Sequence, residues 1–215
     1  MNGIYFGEIH SYYDLNLILA PFTPAPASPQ TNFLKVPGRD GSLDLTEAHG
    51  EVKYDSRVFQ FTFTIDPSEG IPFDEKLTQV SNALNGRKFK ITLDRDLDYY
   101  WLGRCVVDKY AQKKTIGQIV VKATVDPYKL KHCATTQTVA LSSDEQTISV
   151  FNGRMAAVPS IECTDDNTAI TFGNSTFTLN AGTHKILNIR FVEGINVLKL
   201  KGSGTVTFTW QEGEL

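Results

Sequence analysis

At 215 residues, with 41% apolar and 21% charged residues, the chain has an ordinary globular composition and is long enough to bury a core without staples. A net charge of −3, both signs mixed along the chain, excludes a basic nucleic-acid arm and an acidic tail, so no nucleic-acid sequence readout is expected. Three distant cysteines without C-x-x-C spacing, Cys105, Cys133 and Cys163, make neither a disulfide framework nor a zinc site, and reduced, mostly buried thiols are expected.

The start, Met1-Asn-Gly-Ile-Tyr-Phe-Gly-Glu8, lacks a basic region followed by an apolar core, so no signal peptide is expected. No apolar run approaches the ~20 residues that span a bilayer, and no membrane insertion is expected. Asn174-Ser175-Thr176 matches a glycosylation sequon by chance.

Ile4 to Leu19 reads as mostly extended, with Leu15, Leu17 and Leu19 alternating along a half-buried strand. Residues 21–29 then hold four prolines, which lack an N–H and hold φ fixed, so an extended arm outside any sheet is expected. It is read either as an exposed loop or as an arm laid on a neighbouring subunit. In Phe33-Leu-Lys-Val-Pro-Gly-Arg-Asp-Gly-Ser-Leu-Asp-Leu45 two short arms flank the turn dipeptides Pro37-Gly38 and Asp40-Gly41, which predicts a β-hairpin or bent loop. Phe59, Phe61, Phe63 and Ile65 alternate with Gln60, Thr62 and Thr64, so one face of this strand belongs to a core. Asp66-Pro67 and Glu69-Gly70 end it.

Phe73 to Asn85 is the one predicted helix. Phe73, Leu77, Val80 and Leu84 make a single apolar stripe, Pro72 suits the first turn, Asp74 and Glu75 favour the dipole's positive end, and Asn85-Gly86 stops it. Strands follow at Lys88–Leu93, Tyr99–Val107 and Gln118–Val125, separated by a polar turn at 94–98 and a charged connection at Gln112-Lys-Lys114. Asp126-Pro-Tyr-Lys-Leu130 breaks the alternation, and the polar run Lys131 to Gln137 marks the domain boundary. The remainder has no helical period. Strands are expected at Thr147–Phe151, Val158–Cys163, Ala169–Phe172, Thr176–Leu179, Lys185–Phe191, Asn196–Leu200 and Thr205–Trp210, at the regular spacing of a sandwich or small barrel. The fold class is thus mainly β: an α+β N-terminal domain over 1–130 and a β-sandwich over 131–215.

Chemistry is sparse. Asp94-x-Asp96-x-Asp98 has alternate oxygen ligands, but an EF-hand needs Gly and Glu where Tyr99 and Cys105 stand, so a solvated turn is expected. His10, His49, His132 and His184 are scattered and adjoin no nucleophile signature. The 24 acidic residues always offer some carboxylate pair, but no spacing selects one for glycoside hydrolysis. Tyr99, Tyr100 and Trp101 could stack on sugar, although packing explains them as well, and Lys113-Lys114 reads as a solvated hairpin tip. No catalysis, cofactor or metal is expected.

The hairpin Val36-Pro-Gly-Arg-Asp-Gly-Ser-Leu-Asp-Leu-Thr-Glu47, followed by Tyr54-Asp-Ser-Arg57 and the Phe59–Phe63 strand, resembles the distal tail (Dit) proteins of long-tailed bacteriophages. So do Phe6 to Ser11, the helix ending in Leu84-Asn85-Gly86, Tyr99 to Gly103, Asp126-Pro127-Tyr128 and the closing stretch from Glu193 to Trp210. The resemblance implies a ring-forming, tail-tube-like domain over 1–130 and a galectin-like or carbohydrate-module-like sandwich over 131–215. It implies a virion structural protein, assembled in the bacterial cytoplasm. This would be a tail hub whose homo-hexameric ring joins the tail tube protein to the baseplate, through a tail-associated lysin or tail fibre protein, with a receptor-binding protein as a further partner. Residues around Phe33, Val36, Arg39, Asp40, Leu43 and Leu45 are expected at the subunit interface. Two alternatives stand beside this reading: a carbohydrate-binding protein that recognises a host glycan through the C-terminal sandwich, and a tail-associated hydrolase.

Overall fold

A computed structural model of the chain describes residues 3–48, 50–65, 70–113 and 116–215. His49, the strand-ending Asp66-Pro67 and Glu69, and Lys114 lie outside them. The chain divides into two compact units, Met1–Lys129 with Leu215, and Leu130–Glu214.

The first unit is built on an antiparallel sheet. Its strands are β1 (Ile4–Phe6), β2 (Ile9–His10), β3 (Leu17–Leu19), β6 (Arg57–Ile65), β7 (Lys88–Leu93), β8 (Asp96–Lys113) and β9 (Ile116–Val125), joined in the order β2-β1-β7-β8-β9-β6-β3. A separate hairpin, β4 (Phe33–Lys35) with β5 (Ser42–Asp44), interrupts the chain before β6. The alternation along β6 works as expected: Phe59, Phe61, Phe63 and Ile65 are buried and face Ile119, Val121, Ala123 and Val125 of the neighbouring β9. Phe6, Ile91, Trp101 and Cys105 belong to the same core.

The helix α1 (Phe73–Leu84) packs on β8, with Val80 and Leu84 fully buried and Phe73 and Leu77 partly so. Lys76, one turn before Val80, is buried on the same stripe. Asn85 leaves the helical conformation at ψ 128°, and its side-chain oxygen accepts from Val107 N at 3.0 Å. The stop signal is therefore also a bond to the sheet.

Two expected strands change. The alternation from Leu15 to Leu19 does not make one strand. Asn16 sits at φ 48°, its N–H reaching back to Tyr12 O at 2.8 Å, so a tight turn precedes the three-residue β3. Conversely β8 runs past Val107 to Lys113, and Gln112 is a strand residue paired with Gly117 rather than a connection. A bulge at Val107/Lys109 lets the ladder continue beyond the apolar alternation.

After β10 (Lys129–Lys131), the second unit holds β11 (Thr135–Ala140), β12 (Gln146–Asn152), β13 (Ser160–Cys163), β14 (Thr168–Phe172), β15 (Ser175–Leu179), β16 (Gly182–Lys185), β17 (Gly194–Lys201), β18 (Thr205–Trp210) and β19 (Gly213–Glu214). Two four-stranded antiparallel sheets, β11-β18-β13-β16 and β12-β17-β14-β15, contribute to one core. Ile161, Val206, Phe208 and Trp210 come from the first, and Val150, Ile170, Leu198 and Leu200 from the second. This is a sandwich. The strand expected at Lys185–Phe191 is instead β16, ending at Lys185, and Phe191 is held by a lone bridge to Ala157. The polar run Lys131 to Gln137 leads into β11, an edge strand whose Thr138 hydroxyl meets that of Thr207 at 2.9 Å.

Glu212 anchors this unit's end. Burial pushes its carboxyl up, but hydrogen bonds from Lys131 (2.6 Å) and Thr135 (2.7 Å) outweigh it and hold the group below its ordinary value of 4.5. A depressed folded-state pKa stabilises the fold above the ordinary value, and that contribution disappears as pH falls through the depressed one. Glu212→Gln is expected to lower the stability of this unit at pH 7 and to flatten its acid dependence below pH 4.5. Urea unfolding followed through Trp210 fluorescence between neutral and acid pH checks it; parallel acid profiles for both proteins would refute it.

Candidate subunit-contact surface

The hairpin of β4 and β5 has the register Phe33↔Asp44, Leu34↔Leu43, Lys35↔Ser42. Gly38 at φ 81° and Gly41 at φ 78° supply the left-handed corners of the turn, a conformation that side chains rarely adopt. The base is tied by Leu45 N to Asn32 O at 2.8 Å and by Asn32 N to Thr46 Oγ1 at 3.1 Å. Asp44 accepts from Thr46, which lowers its carboxyl pKa.

The hairpin pairs with no other described strand. Phe33 is 58% exposed, Leu34 50% and Val36 37%, Arg39 and Asp40 are exposed at the tip, and Leu43 and Leu45 are half-buried. All six residues picked from sequence thus lie on this one projection. Sequence reasoning passed over Leu34. Its signal was register: opposite Leu43 in a hairpin, it shares that residue's face. An isolated two-stranded hairpin is marginally stable in water.

The proline arm lies on its own unit. Phe22 packs on Phe59 and Phe61 at centroid distances of 5.5 and 4.6 Å. Arg57, buried between strand and arm, donates from Nε to Ala25 O at 2.7 Å, from Nη2 to the same oxygen and from Nη1 to Pro127 O at 3.1 Å. At the arm's end Gln30 N donates to Lys53 O at 2.8 Å and Asp55 N to Ser28 O at 2.9 Å, closing the hairpin's stem.

The polar candidates stay apart. Asp94 accepts from Gly3 N at 2.7 Å and faces His10 Nε2 at 3.2 Å, whereas Asp96 pairs with Lys129 at 3.1 Å. Among the described residues no group of three or more His, Cys, Asp or Glu side chains has metal-holding geometry. His10 Nδ1 accepts from Tyr12 N and Tyr13 N at 3.2 and 3.0 Å, so its proton sits on Nε2 and the ring pins a turn. A cleft of about 280 Å³ beside Leu19, Pro21 and Phe22 has its polar wall already engaged, Arg95 donating to Phe22 O at 3.0 Å. Burial pushes the Cys105 thiol up to about 12 and raises that of Cys163; Cys133 is exposed and all three are free. Tyr99 and Tyr100 carry the ammonium groups of Lys129 and Lys90 at 4.0 and 4.7 Å, and Trp101 is in the core, so the triplet offers no open stacking surface.

Residues 7–126 match the family described as phage tail protein RIFT-related domain. The chain belongs to that family. The tail protein matches no curated protein. Its fold is that of the SPP1 Dit protein, whose crystal structure is described as a paradigm of the hub adsorption apparatus in phages infecting Gram-positive hosts. The two share a TM-score of 0.70 at 12% identity, over 100% of both chains. The resemblance read from the hairpin and its flanking strands is borne out in family and in fold. In the tail protein's second unit, Phe151 and Ile195 stand directly opposite each other on the outer face, 67% and 71% exposed.

Proposed function

We propose that this phage tail protein is a distal tail hub, a structural subunit without catalytic activity that closes into a hexameric ring between the tail tube protein and the baseplate. The observation that carries it is the self-paired hairpin, exposing Phe33, Leu34 and Val36 on a tail-protein fold. In a closed ring each interface is heterologous, one patch meeting a different one, and a projecting hairpin suits that geometry. Phe33, Val36, Arg39, Asp40, Leu43 and Leu45 contact the adjacent subunit. Residues 1–130 form the ring and 131–215 face outward, toward a tail-associated lysin or fibre protein and a receptor-binding protein. Assembly takes place in the host cytoplasm. The hub description of the SPP1 protein supports the reading. For glycan binding, the exposed Phe151 of the sandwich is a poor platform, because its cross-strand neighbour is Ile195 rather than a hydrogen-bonding side chain.

Light scattering of the purified protein across concentrations is expected to give six or twelve times the chain mass. Arg39→Ala with Asp40→Ala is expected to weaken the ring about tenfold or more, as loss of a central contact does, with an unchanged monomer fold. A monomer at every concentration, with and without tail tube protein, would overturn the hub. A ring indifferent to the double variant would remove the hairpin tip from the interface.

A further inference from the structure

The hairpin and the end of the first unit are far apart in the chain, yet one side chain serves both. The stem that carries the hairpin is closed by Gln30 N donating to Lys53 O at 2.8 Å, by Asp55 N donating to Ser28 O at 2.9 Å and by a bridge between Pro29 and Tyr54. The chain leaves the first unit through Asp126-Pro-Tyr-Lys129. Arg57, only 7% exposed, reaches both places. Its Nε and Nη2 donate to Ala25 O, on the arm that leads into the stem, and its Nη1 donates to Pro127 O at 3.1 Å. Tyr54 of the stem sets its ring against Tyr128, centroids 5.9 Å apart and planes at 80°. The exit is also held to β8. Asp126 N donates to Leu102 O at 3.0 Å, and Lys129 pairs with Asp96 at 3.1 Å and lies over the Tyr99 ring at 4.0 Å.

We infer that Arg57 is a clasp that couples the seating of the hairpin to the firmness of this exit. The physical reason is the rigidity of the guanidinium. The group is planar, and two of its nitrogens converging on one carbonyl fix that plane. Nη1 is then aimed in one direction, that of Pro127 O. When the arm shifts and carries Ala25 O with it, the plane turns and Nη1 leaves Pro127 O. Both ends of the clasp are charge-assisted hydrogen bonds, the stronger kind, so neither end yields before the other is felt. A lysine would not transmit the motion, because its ammonium is a point charge whose donors rotate freely. The Tyr54–Tyr128 ring pair ties the same two segments a second time. A partner seated on the hairpin therefore stiffens the chain that leads to the second unit, and a hairpin without one leaves it looser. That the partner is an adjacent subunit rests on the hub reading; the coupling is a property of the single chain.

Hydrogen exchange of the full chain, read by mass spectrometry on peptides covering 126–129, tests it as a double-variant cycle. Gln30→Pro deletes the donor to Lys53 O and loosens the stem without altering a residue of the clasp or of the exit. It is expected to speed exchange at 126–129 about tenfold, the factor that loss of one charged hydrogen bond produces. In the Arg57→Lys background exchange there is already fast, and Gln30→Pro is expected to add less than about twofold. Gln30→Ala with Asp55→Ala removes only the exposed side-chain bond at 2.9 Å, and the same pattern is expected at smaller amplitude. Peptides from β7, whose ladder partners are β1 and β8, are the internal reference. Unchanged exchange at 126–129 in both stem variants would overturn the inference. So would an equal factor in the arginine and lysine backgrounds. Light scattering on the same samples keeps the two readings separate. A monomer that shows the cycle removes the hub alone, and a ring that lacks it removes the clasp alone.

Discussion

Phe61→Ala is expected to destabilise the first unit by about 3–5 kcal/mol, the range for emptying a buried phenylalanine site. Phe61 is fully buried in the middle of β6 and touches the rings of Phe6, Phe22, Phe59 and Phe63. Truncation removes the transfer energy of the ring and leaves a cavity between two sheet strands and the proline arm. Those walls are fixed by the ladder from β6 to β9 and cannot collapse onto the void. Phe151→Ala is the matching control. That ring is mostly in water, and surface changes stay within about 0.5 kcal/mol. The two tryptophans separate the units, Trp101 reporting the first and Trp210 the second. Guanidinium unfolding should therefore shift the Trp101 transition in the Phe61 variant and leave the Trp210 transition in place. A loss below about 1.5 kcal/mol would mean that Phe61 is not at the centre of the core.

Arg57→Ala should cost about 2–4 kcal/mol and free the proline arm. The guanidinium bridges Ala25 O and Pro127 O, and it stacks at 5.3 Å over Phe59 and 5.8 Å over Trp101. A charged hydrogen bond is worth about 1.5–3 kcal/mol, and deleting the donor leaves carbonyls on a partly closed surface with no partner. Lysine should rescue little, since it lacks the planar fork that serves two carbonyls and an aromatic face together. Burial pushes the Arg57 pKa down, but a guanidinium stays protonated at any pH a protein tolerates, so the loss should not vary between pH 5 and 9. Limited proteolysis supplies the second readout, with cleavage between Ala20 and Gln30 appearing in the variant. An arm that stays resistant would show that Phe22 and the Gln30–Lys53 closure suffice to hold it.

Much of the local structure is legible in the chain itself. The two-residue period of Phe59 to Ile65 reports a strand with one buried face, because side chains alternate across a pleat. The spacing of Phe73, Leu77, Val80 and Leu84 reports a helix with one covered side. Pro37-Gly38 and Asp40-Gly41 report a hairpin turn, because glycine reaches positive φ. These signals are contained within a few residues, so no partner is needed to read them. The six candidate residues lie in that hairpin, but their place at an interface is what the family resemblance implies, and Leu34 was missed because cross-strand register is not written in either strand alone.

What lies across from what was decided by tertiary structure. The order β2-β1-β7-β8-β9-β6-β3 sets strands far apart in the chain side by side, and only that order puts Phe6 of β1 opposite Ile91 of β7 and Phe61 of β6 opposite Val121 of β9. β11 is a Thr-rich edge strand, and its polar alternation looks like a linker until β18 pairs with it. Gln112 reads as connection and becomes strand because β9 continues its ladder past the core. Arg57 looks like a surface charge beside an aromatic run, yet it is buried where the proline arm folds back. The physical reason is common to all four. Periodicity encodes which face of an element is apolar, a local property, whereas pairing and burial of polar groups depend on hydrogen-bond partners that come from elsewhere in the chain.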